Sequence, residues 1–227
     1  MRVTAQAKEQ TRQRILASSR KLFSQKGLER TTTRDIAGEA GIASGTLFNY
    51  FPSKEVLAMT IVAEALDEGR ADYAAKATGQ ESVEEALFLH IVTGLRRLAP
   101  YRTSMNAILE RAMSPFSPSP DSADADRVRR DHLEAVAEIL ANHARRNDQT
   151  RNQAAGEPEP DVATADLNFV AMHLYWSLYL GVLAFWSRDQ SDKQEHTLAM
   201  LDQAMQLFVD ALNSGDTEEN TDGATSH

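Results

Sequence analysis

Residues 31 to 55 read Thr-Thr-Thr-Arg-Asp-Ile-Ala-Gly-Glu-Ala-Gly-Ile-Ala-Ser-Gly-Thr-Leu-Phe-Asn-Tyr-Phe-Pro-Ser-Lys-Glu, and they restrict the fold more than any other stretch. Thr32 followed three residues later by Asp35 is a capping-box spacing, which predicts a helix opening after Thr32. Ile36, Ala37 and Ala40 supply that helix with one apolar side. Gly41 suits the positive-φ position of a tight turn. Beyond it a second short helix is expected, with Leu47 and Phe51 four residues apart on its inner side. Thr46, Asn49 and Tyr50, at i, i+3 and i+4, share a polar side. Two short helices joined in this way form a helix-turn-helix, whose second helix enters the major groove of DNA.

From Thr31 to Glu55 the residues resemble the TetR family of bacterial transcriptional regulators, fitting nearly every position of its helix-turn-helix pattern. The match covers about a ninth of the chain. There are two departures. Ala43 stands where many members have a capping Ser, so Ser44 must cap the second helix or the cap is weaker. Phe48 stands where many have Tyr, so a phosphate-directed hydroxyl is missing.

The resemblance implies an all-α chain. An N-terminal three-helix DNA-binding domain would occupy residues 1–52. A helical effector-binding and dimerisation domain would occupy 53–213. On this reading Thr32, Thr33, Arg34, Tyr50 and Lys54 hold phosphates. Ser44, Thr46 and Asn49 reach base edges, and Gly45 lets the backbone approach closely. The implied partners are double-stranded DNA carrying a palindromic operator, a small-molecule effector and a second copy of the chain. No cofactor is implied.

Charge supports the same reading independently. The chain has a formal charge of −9, yet residues 1–50 hold nine Lys or Arg against four Asp or Glu, a net of +5 that leaves −14 for the rest. A basic segment on an acidic body suits phosphate binding by one part only. There is no cysteine, which excludes disulfides, thiolate metal sites and a cysteine nucleophile. The polar, basic start lacks an apolar run, so no signal peptide is expected and a cytoplasmic location is.

Periodicity and breakers predict about nine helices. The first runs over roughly residues 6–26 with Gly27 as its stop, ahead of the two motif helices. A long helix follows at 53–76, and the Ser82/Glu85 capping box opens another that ends at Pro100. Helices are then expected at 101–113 and 123–147, separated by a Pro-rich loop at 114–122. Residues 148–161 read as a linker, followed by helices at 162–187 and 191–213. Residues 214–227 are small, polar and acidic and read as a disordered tail.

The last two helices predict self-association. Leu198, Leu201, Met205, Phe208 and Leu212 form a packing seam, and Met200, Ala204, Leu207 and Ala211 make a second apolar stripe. One monomer core needs only one. The preceding helix has no charged residue from Leu167 to Ser187, with Gly181 open to a close neighbour and Phe185 beside it. The family resemblance implies that two such helices from each subunit form a four-helix bundle. The same uncharged stretch is long enough to span a bilayer. Asn168, His173 and Ser177 inside it, and the lack of a second span, favour a buried helix and no membrane.

An effector pocket is implied by the resemblance alone, in the body of the fold. Its candidate lining is Phe88, His90, Met105, Ile108, Met113, His173, Trp176 and Tyr179, which are aromatic, flexible or polar-tipped. Enzyme signatures are missing: there is no His-Glu-x-x-His, no Gly-rich phosphate loop and no serine elbow. Asp131, Glu134 and Glu138 share a helix face near His132, and read as a solvated stripe rather than a metal site. The competing reading of the whole chain is a helical protein with a degenerate helix-turn-helix, used for protein contacts or membrane attachment.

Overall fold

The computed structural model describes residues 4–112, 122–155 and 169–219. Among these, every regular element is helical. The order is α1 (Ala5–Arg30), α2 (Thr33–Glu39), α3 (Ser44–Phe48), α4 (Lys54–Lys76), α5 (Val83–Leu98), α6 (Met105–Ala112), α7 (Ser122–Ala155), α8 (Phe169–Arg188) and α9 (Glu195–Glu219). A 3-10 turn over Ala99–Ser104 joins α5 to α6, and another over Asp192–Gln194 precedes α9.

Some boundaries depart from the sequence expectation: the helices expected at 101–113 and 191–213 are preceded by 3-10 turns and begin at Met105 and Glu195, and two stretches expected to be irregular are partly helical. Gly27 breaks the regular geometry of α1 as expected, at φ +79 and ψ 164, and a short helical stretch follows it to Arg30. The expected linker at 148–161 begins as helix, because α7 continues to Ala155. Its Gln, Arg and Ala residues are good helix formers and its Asp, Thr and Asn weaken a helix without breaking one, and the first true breakers, Gly156 and Pro158, lie outside the described residues. The expected tail at 214–227 is likewise helical as far as Glu219; residues 220–227 lie outside the described residues, as do 162–168 and Met113.

By contact the chain falls into two compact units, Met1–Asp72 with Thr93–Val128 and Tyr73–Val92 with Arg129–His227. In the first unit, Ile15, Leu16, Phe23, Leu28, Ile36, Ala37, Leu47, Phe51 and Leu57 are almost wholly buried. They are the inward faces of α1 to α4, brought together by the turn at Gly41 (φ +65), a conformation that side chains other than glycine rarely adopt. Glu64 of α4 ties back to α1 through Arg20, with Arg12 at 3.9 Å. The Arg12 guanidinium also lies 5.4 Å from the centre of the Phe51 ring.

Within the same unit, α4 and α5 cross almost backbone to backbone. A Cβ placed on Gly69 would lie 2.8 Å from the Gly94 Cα and 3.1 Å from its nitrogen. One turn from this crossing Arg97 grips Asp72 with two bonds, of 2.7 and 2.8 Å, and Glu68 with a third of 3.0 Å. The paired carboxylates raise the Arg97 pKa further, Asp72 having the larger effect.

In the second unit α8 packs on α9. Tyr175, Tyr179, Val182, Leu183 and Trp186 of α8 are buried, as are Leu201, Ala204, Met205 and Phe208 of α9. The Tyr175 and Phe208 rings meet edge to face at 5.3 Å. The connection is fixed by Asp189, whose carboxylate accepts from the backbone and hydroxyl of both Ser191 and Thr197. These donors hold its pKa far below the ordinary aspartate range, Thr197 most of all. By length and composition α8 could cross a membrane. Within the single chain 33% of its most apolar window is buried, so the face against α9 uses only part of that apolarity.

The α4–α5 crossing generates a prediction. Gly69→Ala forces backbone against backbone and should lower stability by about 1–3 kcal/mol despite alanine's better helix propensity. Gly94→Ala should cost less, because its Cβ meets the end of the Leu66 side chain at 3.3 Å. Denaturant unfolding of both variants checks the order; equal stability would remove the crossing as a constraint.

Candidate nucleic-acid interface

The expected capping box is present. The Thr32 hydroxyl accepts from the Asp35 backbone at 3.1 Å, and the Asp35 carboxylate accepts from the Thr32 N–H at 2.9 Å. Lys26 donates to the same carboxylate at 3.0 Å. The Thr32 N–H first, then Lys26, pull the Asp35 pKa down to about 2. This sets the first turn of α2, where Thr32 and Arg34 are exposed and Thr33 is half-buried. Exposed Lys8, Arg14 and Arg30 lie on α1 of the same unit, which keeps positive charge at the surface there.

Lys54 has a second role beside the one its position implied. Its ammonium donates to the Leu28 carbonyl at 2.9 Å and to the Thr31 carbonyl at 3.1 Å. Both acceptors lie at the end of α1, where the last helical carbonyls lack intrahelical partners. The buried Leu28 N–H donates to Ser104 Oγ at 2.8 Å. Lys54 therefore closes the joint between α1, α2 and α4, with at most one donor left for a phosphate.

Helix α3 has a single turn of regular geometry. Its N-cap is Ala43, with no side-chain cap bond, so Ser44 does not replace the missing capping Ser and stands exposed at the first helical position. Leu47 and Phe51 are buried as expected. The exposed face consists of Ser44, Gly45, Phe48 and Asn49, whereas Thr46 and Tyr50 are half-buried. Nothing comes within 4 Å of a Cβ built on Gly45, leaving room for close backbone approach. The grouping of Thr46, Asn49 and Tyr50 on one polar side assumed a helix continuing past Phe48. Asn49 is instead the C-cap, and the outward rows run Ser44–Phe48 and Gly45–Asn49. Phe48, which the family pattern marks only by a missing hydroxyl, is exposed. Its four-residue spacing from Ser44, off the Leu47–Phe51 row, was the signal that marked it as outward-facing.

The expected effector residues divide between the units. Met105 and Ile108 are buried in the first unit, while Phe88, His90, His173, Trp176 and Tyr179 belong to the second. There a ring cluster forms around His132, which was expected beside a solvated stripe and is buried instead. His132 is only 3% exposed. It stacks on Tyr179 at 4.1 Å, lies 5.1 Å from His90 and 6.0 Å from Trp176, and bonds the Tyr175 hydroxyl at 2.9 Å. Burial pushes the Tyr175 phenol well above its ordinary range. His173 stays at the surface, where its Nδ1–H donates to the Phe169 carbonyl and its Nε2 faces Arg129 at 3.3 Å. Among the described residues no three metal-ligating side chains are grouped.

Expected dimer residues also separate. Leu201, Met205 and Phe208 are fully buried inside the single chain, so these three are core and offer a partner no surface. The apolar stripe of α9 left outward is Met200, Leu207 and Ala211, with Leu198 exposed at the start of the helix. Beside it α8 exposes Val170, Leu174 and Phe185, and Gly181 has open space above it. Leu212 is half-buried.

Residues 15–59 match the family described as bacterial regulatory proteins, tetR family. The chain is similar to the regulator UidR of Escherichia coli K12, 27% identical over 175 residues that cover 77% of this chain and 80% of UidR. It is 35% identical to the regulator YfiR of Bacillus subtilis over 68 residues, spanning about a third of that relative's length. Its fold resembles the crystal structure of a TetR transcriptional regulator from Rhodococcus sp. RHA1, with a TM-score of 0.62 and 23% identity over 88% of this chain and 97% of the other.

Two predictions follow from the joint at α1, α2 and α4. Asp35 contributes stability that is fully present above its unfolded value of 3.8 and is lost as the pH falls from there through about 2. Asp35→Ala should therefore weaken the fold at pH 7 and flatten the acid branch between pH 4 and pH 2, as measured by circular dichroism. Lys54→Ala should reduce folding stability by about 1.5–3 kcal/mol, the range for bonds to a charged donor. An unchanged denaturation midpoint would assign Lys54 to phosphate alone.

Proposed function

This chain belongs to the TetR family of bacterial transcriptional regulators, and from that premise we propose that it is a homodimeric repressor released from a palindromic operator by a small molecule. The observation that carries the reading is the exposed face Ser44, Gly45, Phe48 and Asn49 on a helix whose other side is locked into a basic unit. Asn49 has the amide geometry to pair with an adenine edge, and Ser44 can bond to any base. Thr32, Thr33 and Arg34 lie at the start of α2, where backbone N–H groups and positive charge suit a phosphate.

The outward stripes of α8 and α9 are the surface for a second copy of the chain. Val170, Leu174, Phe185, Met200 and Leu207 are exposed on these two helices, and exposed apolar side chains gathered in this way mark an interaction surface. Two-fold pairing there presents two recognition helices on successive major-groove turns, roughly 34–36 Å apart. A dimer seated across both turns occludes any promoter element beneath it, which is repression. The effector acts by binding the DNA-bound and released states with different affinity. The ring cluster of His90, His132, Tyr175, Trp176 and Tyr179, apolar in its walls and polar at its tips, suits it. Such a regulator works in the cytoplasm, beside the DNA.

Gel shift of genomic fragments at two salt concentrations tests this. The chain should select particular fragments and lose affinity steeply with salt. Asn49→Ala should relax the preference, and Arg34→Ala should weaken all duplexes alike and flatten the salt slope. Leu207→Glu should give a monomer in sedimentation and cost about a hundredfold or more in fragment affinity, the avidity of paired heads. Binding without fragment preference or salt dependence would leave the degenerate-motif reading in its place.

A further inference from the structure

We propose that Phe48 is a sequence-reading residue and that the group it recognises is the 5-methyl of thymine. The inference rests on the DNA-binding reading above. Eight large apolar side chains are exposed among the described residues; seven lie on α8 and α9, and the eighth is Phe48, 50% exposed. The core of its unit does not use this ring, because Leu47 at 2% and Phe51 at 4% already fill the inner side of the segment. Phe48 lies one turn beyond Ser44 and adjacent to Asn49, both exposed on the same outward face.

Chemistry narrows what the ring can meet there. A phenyl group carries no donor or acceptor, so it neither holds a phosphate nor reads the hydrogen-bond pattern of a base edge. Within the major groove the one apolar group on the base edges is the thymine methyl. The neighbouring Asn49 amide is matched to adenine, and an adenine brings a thymine into the same base pair. Phe48 and Asn49 together therefore favour A·T pairs in the half-site that this helix reads. Ser44, whose hydroxyl tolerates any base, adds little selectivity of its own.

The experiment starts from an operator selected from random duplexes with the full-length chain. Each thymine is then replaced by deoxyuridine, which removes only the methyl. The wild-type chain should lose about fourfold in affinity at one thymine per half-site, the worth of one buried methyl group. Phe48→Ala should bind the thymine and deoxyuridine duplexes equally, and Phe48→Leu should retain part of the ratio. Because half of the ring is exposed and Leu47 and Phe51 fill the core beneath, both variants should stay folded, with Phe48→Leu keeping the wild-type unfolding midpoint. A selected operator at which no deoxyuridine matters, or an undiminished ratio in Phe48→Ala, overturns the assignment while leaving DNA binding intact. Failure to select any preferred sequence overturns the DNA-binding reading itself, and this assignment with it.

Discussion

The geometry of the first unit depends on how the backbone is satisfied where α1 ends. Between Gly27 and Thr31 the chain leaves a helix, turns and enters another, and Leu28 and Thr31 are buried. Buried backbone groups without partners are costly. Here each has a specific one: Ser104 accepts from the Leu28 N–H, Lys54 donates to the Leu28 and Thr31 carbonyls, and the Thr31 hydroxyl bonds the Gly27 carbonyl at 2.7 Å. These partners come from the 3-10 turn and from α4, so the end of α1 is held from two sides. Asp35 then fixes the entry to α2 through Thr32 and Lys26. The placement of α3 follows from these contacts, since α3 itself is too short to be stable alone.

Apolar surface is divided with little ambiguity. Inside the first unit it fills the core, and one aromatic ring is left outside. In the second unit α8 and α9 each carry more apolar side chain than their mutual contact uses. The surplus lies on the outer faces of both helices, and on α8 His173, Ser177, Gly181 and Ala184 stand among its larger apolar side chains. Small residues of that kind allow close approach of a partner helix, which a bilayer does not require.

The ring cluster around His132 shows why a titratable residue cannot be placed by composition alone. His132 sits among Asp131, Glu134 and Glu138, and on a linear reading shares their polar character. On the helix it points the other way, into Tyr175, Tyr179, Trp176 and His90. Those partners come from α5 and α8, more than forty residues away on either side, so nothing local announces them.

What the amino-acid order determined by itself was local: the capping box at Thr32 and Asp35, the turn at Gly41, the inward pair Leu47 and Phe51, and an all-helical chain. Each of these rests on interactions within a few residues, and pattern and propensity record such interactions directly. Tertiary packing decided which of two apolar stripes on α9 became core, that Lys54 would serve backbone carbonyls, that α3 would end at Phe48 and turn that ring outward, and that His132 would be buried. In each of these cases several placements are equally good for the segment alone. The choice belongs to a partner distant in the chain, through burial and hydrogen bonds that exist only once the helices have met.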